Sequence, residues 1–425
     1  MLGILLFTFF FALVFLNVPI AVSLGLSSLM GLYMADFSFL MFPSIIYTAI
    51  GKFALLAIPF FILAGIIMEY AGISQRLIRF ASVCVGHMQG GLISVVVIVS
   101  CFFAAISGSG PATVAALGSI LIPAMSDAGY DKAMGTALMS ASGAIGIVIP
   151  PSIAFVVYAS ISDVSVGALF SGGIIPGILL GLAYIAAAMY SARNDTNIVQ
   201  QPKASAAEKW QAFKDASWGL MTPVIILGGI YGGVFTPTEA AGVAVVYGLF
   251  VGVFIYREIK IKNLWRLLVE AAISSGVVMF IIAGASVFAW LLSTTHIAGD
   301  ISSLLLGFGV NKTLMLLIIN LIFLIAGCFL DANSAFYILI PIMMPVVSAF
   351  HIDPVHFGVF VTVNMAIGLI TPPVGINLYV GCNIGQVSVM DVCKKIGPFV
   401  IAGIAALLLI TFVPWLTLFL PQYLR

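Results

Sequence analysis

Gly146-Ile-Val-Ile-Pro150-Pro151 recurs later in the chain as Gly368-Leu-Ile-Thr-Pro372-Pro373, and each copy lies within apolar sequence. Two consecutive prolines remove two amide donors and clash with the preceding turn, so a helix must unwind at both places. The chain of 425 residues is 62% hydrophobic and only 7% charged. A water-soluble domain of that length needs far more charge on its surface. The two copies therefore predict interrupted helices inside a membrane protein.

Long apolar runs such as Met1–Leu16 and Phe399–Phe419 approach the length that an α-helix needs to cross hydrocarbon. Because these runs are continuous and do not alternate in polarity, they predict spanning helices rather than a β-barrel. A cleaved signal peptide is not expected, since no basic start precedes the first run. The net charge of +1 gives no case for nucleic acid as a partner. The expected surroundings are a lipid bilayer.

The chain divides into two related halves on either side of the polar stretch Arg193–Lys214. This stretch is predicted to be a cytoplasmic linker, which gives a first repeat at residues 1–192, a linker at 193–217 and a second repeat at 218–425. Two further matches occur in the same order in both halves, Pro19 with Pro237 and Ala71-Gly72 with Ala298-Gly299. Three matches in one order indicate an internal repeat.

Each half contains one apolar segment that is too long for a single crossing and has helix breakers midway, at residues 90–128 and 313–350. We interpret these segments as re-entrant helical hairpins, which enter and leave on the same side. Each half also contains a broken helix, at residues 132–162 and 355–384. Each half then crosses the membrane an odd number of times, so the second is inverted. This all-α, polytopic architecture with inverted structural repeats is one that secondary transporters use.

The basic residues provide a separate prediction of orientation. With the N-terminus outside, thirteen of the sixteen Lys and Arg residues fall on the cytoplasmic side, and only Lys52, Lys312 and Arg425 fall outside. The opposite orientation would reverse this asymmetry. The first hairpin is then expected to open to the cytoplasm and the second to the exterior. Two amphipathic stretches, Ser74–His87 and Arg257–Arg266, are expected to lie along the membrane surface.

The tip of the first hairpin reads Ile106-Ser107-Gly108-Ser109-Gly110-Pro111-Ala112-Thr113. Its glycines and proline break the helix at membrane depth and expose carbonyls from one half-helix and amides from the other. Such backbone is tolerated only where protein or a wet cavity surrounds it. The alternative is a tight helix–helix turn built from small residues.

The tip of the second hairpin reads Phe329-Leu330-Asp331-Ala332-Asn333-Ser334. Asp331 is a carboxylate in the middle of a long apolar run, and an ionisable group in that position indicates function. The alternative is a helix cap on the amides of Asn333 or Ser334, and Asp331 could serve both roles.

The carbonyls freed before Pro150 and Pro372 are hard oxygen ligands suited to a small cation, the alternative being a kink without a ligand. Neither the hairpin tips nor the motifs around the Pro-Pro pairs contain Lys or Arg. An anionic substrate would therefore be met by half-helix N-termini, hydroxyls, amides and bound cations. This arrangement favours sodium coupling, with proton coupling through Asp331 as the competing option.

The remaining polar residues add little to this prediction. Glu239, near the outer end of a span, has either a structural role against a neighbouring helix or a functional one. His296, His351 and His356 are expected on exterior segments, facing solvent or a partner. The sequence contains no nucleotide-binding loop, GxSxG elbow or HExxH motif, which argues against an ATP-driven pump or a membrane hydrolase.

These motifs, together with Thr236-Pro-Thr-Glu-Ala-Ala, resemble those of the large membrane subunit of tripartite ATP-independent periplasmic (TRAP) transporters. The likeness runs along essentially the whole chain. It implies an elevator-type, sodium-driven importer in a bacterial inner membrane. The N-terminus, placed outside by the basic residues, is then predicted to be periplasmic. It also implies two partners: a small four-helix membrane subunit, expected here as a separate chain, and a periplasmic substrate-binding protein that delivers an organic acid. Members of the family carry dicarboxylates or sialic acid, and the chain looks slightly closer to the sialic acid members.

The resemblance also implies roles for individual residues. One sodium site would use Ser107, Ser109 and the backbone near Gly146 and Ile149. A second would use Asp331 and the backbone near Gly327, Gly368 and Thr371. The expected substrate contacts are Ser109, Ser152, Asn333 and Asn377. No catalytic residue and no cofactor are expected, and sodium acts only as the coupling ion.

The predicted function is sodium-coupled uptake by a transport domain, made of both hairpins and both broken helices, that slides against a scaffold of the remaining helices. One alternative is a one-component sodium–carboxylate symporter of similar architecture, which would transport without a binding protein. A channel or scaffold protein is a second alternative and would not accumulate substrate. A membrane enzyme is more distant, because no nucleophile–base constellation is present.

Overall fold

A computed structural model describes residues 2–193, 202–307 and 309–424. The described residues form helices and no strands, which confirms the all-α prediction. Seven of the described helices are long and apolar enough to cross a membrane by themselves. The α-helices are α1 Leu2–Phe15, α2 Ile20–Met34, α3 Met41–Ile50, α4 Ala57–Tyr70, α5 Ile73–Val85, α6 Gly91–Ser107, α7 Gly110–Asp127, α8 Lys132–Ala144, α9 Ile153–Ser162, α10 Val166–Ala192, α11 Ala206–Tyr231, α12 Pro237–Phe250, α13 Ile261–Thr294, α14 Ile297–Gly307, α15 Lys312–Phe329, α16 Ala332–Ala349, α17 Pro354–Gly368, α18 Ile376–Gly385, α19 Val389–Phe412 and α20 Trp415–Tyr423.

The helices of the two halves pack in a reciprocal pattern. Helix α2 packs against α13, while its counterpart α12 packs against α4. In the same way α9 packs against α16, and its counterpart α18 packs against α7. Two repeats related by a two-fold axis exchange their contacts in this manner. The pattern confirms the predicted pair of structural repeats, while the boundaries assigned to them stay a prediction.

The two hairpins and the two broken helices form as predicted. Helices α6 and α7 make the first hairpin, and α15 and α16 make the second. In the first broken helix a short 3₁₀ turn, Ile145–Ile147, follows α8, and the chain resumes as α9 at Ile153. In the second, residues 369–375 separate α17 from α18. The helices unwind around Pro-Pro pairs, as expected of residues that cannot donate to the preceding turn.

The two repeats differ in their third span. In the second repeat this span is the continuous helix α13, of 34 residues. In the first repeat it is interrupted, since α3 ends at Ile50 and a 3₁₀ turn, Phe53–Leu56, precedes α4. Lys52 lies in this interruption. The basic residues of α13, Lys262 and Arg266, lie only in its first turns.

Two surface predictions need correction. The predicted linker at 193–217 is too long at its C-terminal end, because α11 begins at Ala206 behind a capping box of Ser205 and Glu208. Residues 194–201 of that linker lie outside the described residues. The stretch Ser74–His87 does form a helix, α5, but residues 261–266 of the second amphipathic stretch are the first turns of α13 and not a separate surface helix.

Buried aromatic side chains join the two repeats. The ring of Tyr158 in α9 lies 6.0 Å from that of Phe336 in α16 and 6.1 Å from that of Phe357 in α17. The Tyr158 hydroxyl donates to the carbonyl of Pro354 at 2.7 Å. Helix–helix association in lipid depends on close packing and interhelical hydrogen bonds of this kind. The second half of the first broken helix is therefore fixed to the second repeat.

The prediction that His356 faces solvent or a partner is wrong. The side chain is 3% exposed and lies between α19 and α20. Its Nε2 lies 3.1 Å from the carbonyl of Thr411, and its Nδ1 lies 2.8 Å from Oγ1 of Thr417. His296 and His351 are exposed, as expected. The two hydrogen bonds connect His356 to the C-terminal helices, whose position the sequence pattern did not reveal.

Replacing His356 with Ala should destabilise the fold by about 1–3 kcal/mol, because it leaves polar groups of Thr411 and Thr417 buried without their partner. Thermal unfolding of the purified protein in detergent measures the effect. His351→Ala is the matched control, since this residue is exposed and surface changes alter stability by roughly 0.5 kcal/mol or less. Equal unfolding temperatures for the two variants would contradict a structural role for His356.

Candidate functional site

The tip of the first hairpin gathers three oxygen atoms. Helix α6 ends at Ser107, Gly108 takes a left-handed φ of 62°, and the extended residue Ser109 leads into α7. The Ser107 and Thr113 hydroxyl oxygens lie 2.8 Å apart. The Thr113 hydroxyl also donates to the carbonyl of Ser109 at 2.8 Å. A buried cluster of hydroxyl and carbonyl oxygens therefore replaces continuous helix at this point.

The first broken helix lies directly against this tip. A Cβ added to Gly146 would lie 2.8 Å from the Ser109 carbonyl oxygen and 2.9 Å from Oγ1 of Thr113. The N–H of Ile153 donates to the carbonyl of Gly108 at 3.3 Å. Three residues of the first predicted sodium site, Ser107, Ser109 and Gly146, are thus brought together. The fourth, Ile149, lies in the same break, but its side chain packs against Gly177 in α10.

Asp331 caps a helix at the tip of the second hairpin. One carboxylate oxygen accepts the N–H groups of Asn333, at 3.0 Å, and Ser334, at 3.3 Å. The other accepts the Ser334 hydroxyl. This is the capping alternative that the sequence left open. A carboxylate offers about four lone-pair sites, so these three hydrogen bonds leave capacity for a cation ligand.

The second broken helix approaches the second hairpin at a pair of glycines. A Cβ added to Gly327 at the end of α15 would lie 3.0 Å from the Cα of Gly368. These two residues of the second predicted sodium site therefore touch. Thr371 donates its hydroxyl to the carbonyl of Ile367 at 2.7 Å. Within the described residues no hydrogen bond joins Thr371 to Asp331, so the structure shows contact only between Gly327 and Gly368 among the four predicted residues.

The two sets of motifs also meet each other. A Cβ added to Gly110, in the first hairpin, would lie 3.2 Å from both amide atoms of Asn377, in the second broken helix. The Asn377 amide nitrogen donates to the carbonyl of Ser140 in α8 at 3.1 Å. Its amide oxygen is buried and has no hydrogen-bond partner among the described residues. Asn377 therefore lies at the joint between the repeats, with one acceptor still available.

The predicted substrate contacts differ in their accessibility. Ser109 and Asn333 are half-buried at the two tips. The amide oxygen of Asn333 has no partner within the described residues. Ser152 is fully buried, donates to the carbonyl of Ile147 and accepts the N–H of Phe155 as the N-cap of α9. This geometry favours a capping role for Ser152, whereas Ser109 is half-buried and the buried amide oxygen of Asn333 keeps a free acceptor among the described residues.

Several polar residues of this region were not assigned a role from the sequence. Thr113 belongs to the first oxygen cluster, and its place one turn after Ser109 in the quoted motif was the available signal. The Asn364 amide donates to Oδ1 of Asn320 at 2.9 Å, and Asn320 donates to Thr411 at 3.1 Å. Asn320 and Asn364 are polar amides within apolar spans, so their residue type alone could have indicated them as candidates for a role.

Glu239 has no part in the candidate site. It accepts the backbone N–H and the hydroxyl of Thr236 at 2.7 and 2.8 Å, which completes a capping box at the start of α12. The side chain is exposed. The structure thus supports the structural alternative for this residue.

The chemistry of the tips suits a weakly held cation. No group of three or more His, Cys, Asp or Glu residues that could hold a metal ion occurs in the part of the chain that the structure describes. The oxygen atoms at the tips are hydroxyls, backbone carbonyls and the Asp331 carboxylate. Such ligands suit hard cations rather than zinc or other metals that prefer nitrogen or sulfur.

A model of the family described as the DctM component of the tripartite ATP-independent periplasmic transporter matches residues 7–416. The chain belongs to this TRAP transporter family. It is 41% identical over 442 residues to a C4-dicarboxylate TRAP transporter large permease protein of Vibrio cholerae, covering 99% of this chain and 97% of that protein. It is 37% identical over 373 residues to the sialic acid TRAP transporter large permease protein of the same species, covering 88% and 87%.

A solved structure has a similar fold. The YdaH transporter of Alcanivorax borkumensis matches with a TM-score of 0.63 at 15% identity, covering 91% of this chain and 88% of that one. At this identity the likeness shows the fold alone. With the family match, the protein is the large permease subunit of a bacterial TRAP transporter, a multi-pass membrane protein and not an enzyme.

Proposed function

We propose that this TRAP permease couples the entry of sodium to the import of an organic acid delivered by a periplasmic binding protein. The observation that carries the proposal is the contact of each hairpin tip with the broken helix of its own repeat, at Gly146 and at Gly368. The first contact places the Ser109 carbonyl oxygen and the Thr113 hydroxyl beside Gly146, and the second lies four residues before the Asp331 carboxylate. Two such places in one chain can take up cations on one side of the membrane and release them on the other.

Sodium suits these places better than a proton. The first oxygen cluster contains only neutral ligands, Ser107, Ser109 and Thr113, which do not titrate in the physiological range. Proton coupling would depend on Asp331 alone. A cation bound at each tip would also supply the positive charge that an organic anion needs, since the motifs contain no Lys or Arg.

The proposed substrate is a carboxylate of the C4-dicarboxylate or sialic acid type. The relatives named above carry these two substrates in their names. Identity is higher to the dicarboxylate protein, 41% against 37%. These values do not support the expectation that the chain is slightly closer to the sialic acid members.

The moving part is proposed to comprise both hairpins and both broken helices. Helix α18 packs against α7 and α8, and α9 packs against α16, so parts of both repeats are held together as one unit. The pairs α2–α13 and α4–α12 would form the scaffold, together with the small membrane subunit. Movement of the unit across the bilayer would carry the tips from one side to the other. We also propose that the protein lies in the bacterial inner membrane with its N-terminus on the periplasmic side.

Uptake into proteoliposomes tests the function. The permease, its small subunit and its binding protein are supplied with succinate or sialic acid, with and without an inward sodium gradient. We expect accumulation only when both the gradient and the binding protein are present. Uptake that needs neither would refute the proposal, and uptake that needs sodium alone would indicate a one-component symporter.

A further inference from the structure

A cavity of about 470 Å³ lies between helices that the proposed mechanism moves relative to each other. One side is formed by α3 and α13 of the proposed scaffold, and the other by α9 and α16 of the proposed moving unit. Hydroxyl groups and one indole ring line much of it, from Ser44, Thr48, Ser160, Trp290, Ser293 and Tyr337. Its volume lies in the range of about 300–1,000 Å³ that is typical of small-molecule sites.

Lys52 supplies a positive charge to this cavity. Its Nζ donates to the carbonyl of Ser160, near the end of α9, at 2.6 Å. An ammonium group has three donors, so two remain for another acceptor. No Asp or Glu lines the cavity within the described residues, and no described carboxylate forms an ion pair with Lys52. The cavity therefore presents an uncompensated cation together with hydroxyl donors.

The position of Lys52 results from a departure from the repeat. The third span of the second repeat, α13, is continuous and forms one wall of the cavity. The corresponding span of the first repeat is interrupted between α3 and α4, and Lys52 lies in the interruption. Because the corresponding span of the second repeat folds without a break, the repeated architecture does not need this interruption. It opens the space beside Trp290 and directs a lysine into it.

We propose that this cavity first receives the carboxylate of the incoming organic acid, and that Lys52 is its anion-binding residue. The inference rests on the proposed function and adds to it a cationic site apart from both hairpin tips. With the N-terminus outside, Lys52 lies on the periplasmic side, where the binding protein releases its substrate. Hydroxyls of Ser44, Ser293 and Tyr337 would bind further oxygens of the same molecule, and Trp290 would cover its apolar part.

The competing explanation is structural. The carbonyl of Ser160 is one of the last in α9, where carbonyls lack helical partners and a positive charge is favourable. Lys52 could then only cap α9 from the scaffold. If Lys52 binds the anion, loss of its charge lowers the apparent affinity for the anion. If Lys52 only caps α9, loss of its charge lowers the stability or the maximal rate.

Lys52→Met, Lys52→Arg and Lys312→Met distinguish these explanations. Lys312 is the control, because it is an exposed lysine that also donates to a backbone carbonyl, that of His351 at 3.1 Å. Uptake of succinate and of sialic acid is measured with the complete transporter, and binding of both to the purified permease with its small subunit is measured by thermal shift. Lys52→Met should raise the apparent KM at least about tenfold for the transported acid, the effect of losing one charge-assisted hydrogen bond. Its sodium dependence should not change.

Lys52→Arg should retain most of the affinity, and Lys312→Met should behave like the wild type. An unchanged KM in Lys52→Met, with or without a lower maximal rate, would overturn the proposal. A wild-type protein that binds neither acid would overturn it too. Binding of an acid by the wild type that Lys52→Met weakens, without any sodium-driven uptake, would support the site and refute the proposed function instead.

Discussion

Asp331→Asn is expected to raise the sodium concentration needed for half-maximal uptake about 100-fold, which corresponds to roughly 2.7 kcal/mol of lost cation binding. Asparagine keeps an oxygen that can accept the N–H groups of Asn333 and Ser334, so the cap on α16 persists. What disappears is the negative charge at the tip of the second hairpin. Uptake measured over a range of sodium concentrations, at saturating substrate and binding protein, gives the shift.

Asp353→Asn is the matched control for this experiment. Asp353 also caps a helix, α17, by accepting the N–H groups of Val355 at 2.8 Å and His356 at 3.2 Å, but it is exposed at the start of that helix. The two substitutions therefore make the same chemical change in two caps, only one of which lies at a hairpin tip. Asp353→Asn should leave the sodium dependence unchanged. If both variants keep wild-type sodium affinity, Asp331 is a cap alone and the second sodium site is refuted.

The features that sequence could predict are those that local chemistry determines. The Pro-Pro pairs and the glycine-rich tip forbid a continuous helix whatever surrounds them, so the breaks before Pro150 and Pro372 and at Gly108 were visible in advance. The hairpin bounds followed from the length of the apolar segments. The family resemblance, confirmed by the match over residues 7–416, rests on the same motifs.

The features that sequence could not predict depend on distant parts of the chain. His356 is buried by Thr411 and Thr417, which lie 55 and 61 residues away. The interruption at Lys52 has no proline to announce it, and α13 runs through its own glycines without a break. Helix breakers mark where a helix can end. Whether it does end there is decided by packing.

The candidate site residues also divide into features that the sequence predicted and features that only the packing determines. The tips and breaks were placed correctly along the chain, and the structure brings Ser107, Ser109 and Gly146 together. The directions of the side chains were not readable from the pattern. Ser152 turns back to cap α9, and Asn377 is buried against Ser140 and Gly110. A half-helix of ten residues has no unbroken apolar face to indicate which of its polar residues point outward.

Gly146→Ala is expected to reduce sodium-driven uptake by about tenfold or more. The added methyl would lie 2.8 Å from the carbonyl oxygen of Ser109 and 2.9 Å from Oγ1 of Thr113, so the tip must move away from the broken helix. Crowding of this kind costs roughly 1–3 kcal/mol, and it separates the oxygen atoms proposed to bind sodium. Uptake as a function of sodium concentration, together with thermal unfolding of the purified variant, measures both consequences.

Gly172→Ala controls for crowding as such. Its methyl would lie 2.9 Å from the carbonyl oxygen of Thr417, between α10 and α20, and away from both tips. This variant should lose a similar amount of stability while the sodium concentration for half-maximal uptake stays near the wild-type value. Gly228→Ala, where a methyl meets nothing within 4 Å, should change neither quantity. If Gly172→Ala shifts the sodium dependence as strongly as Gly146→Ala does, the effect belongs to general packing, and the first hairpin tip loses its proposed role as a cation site.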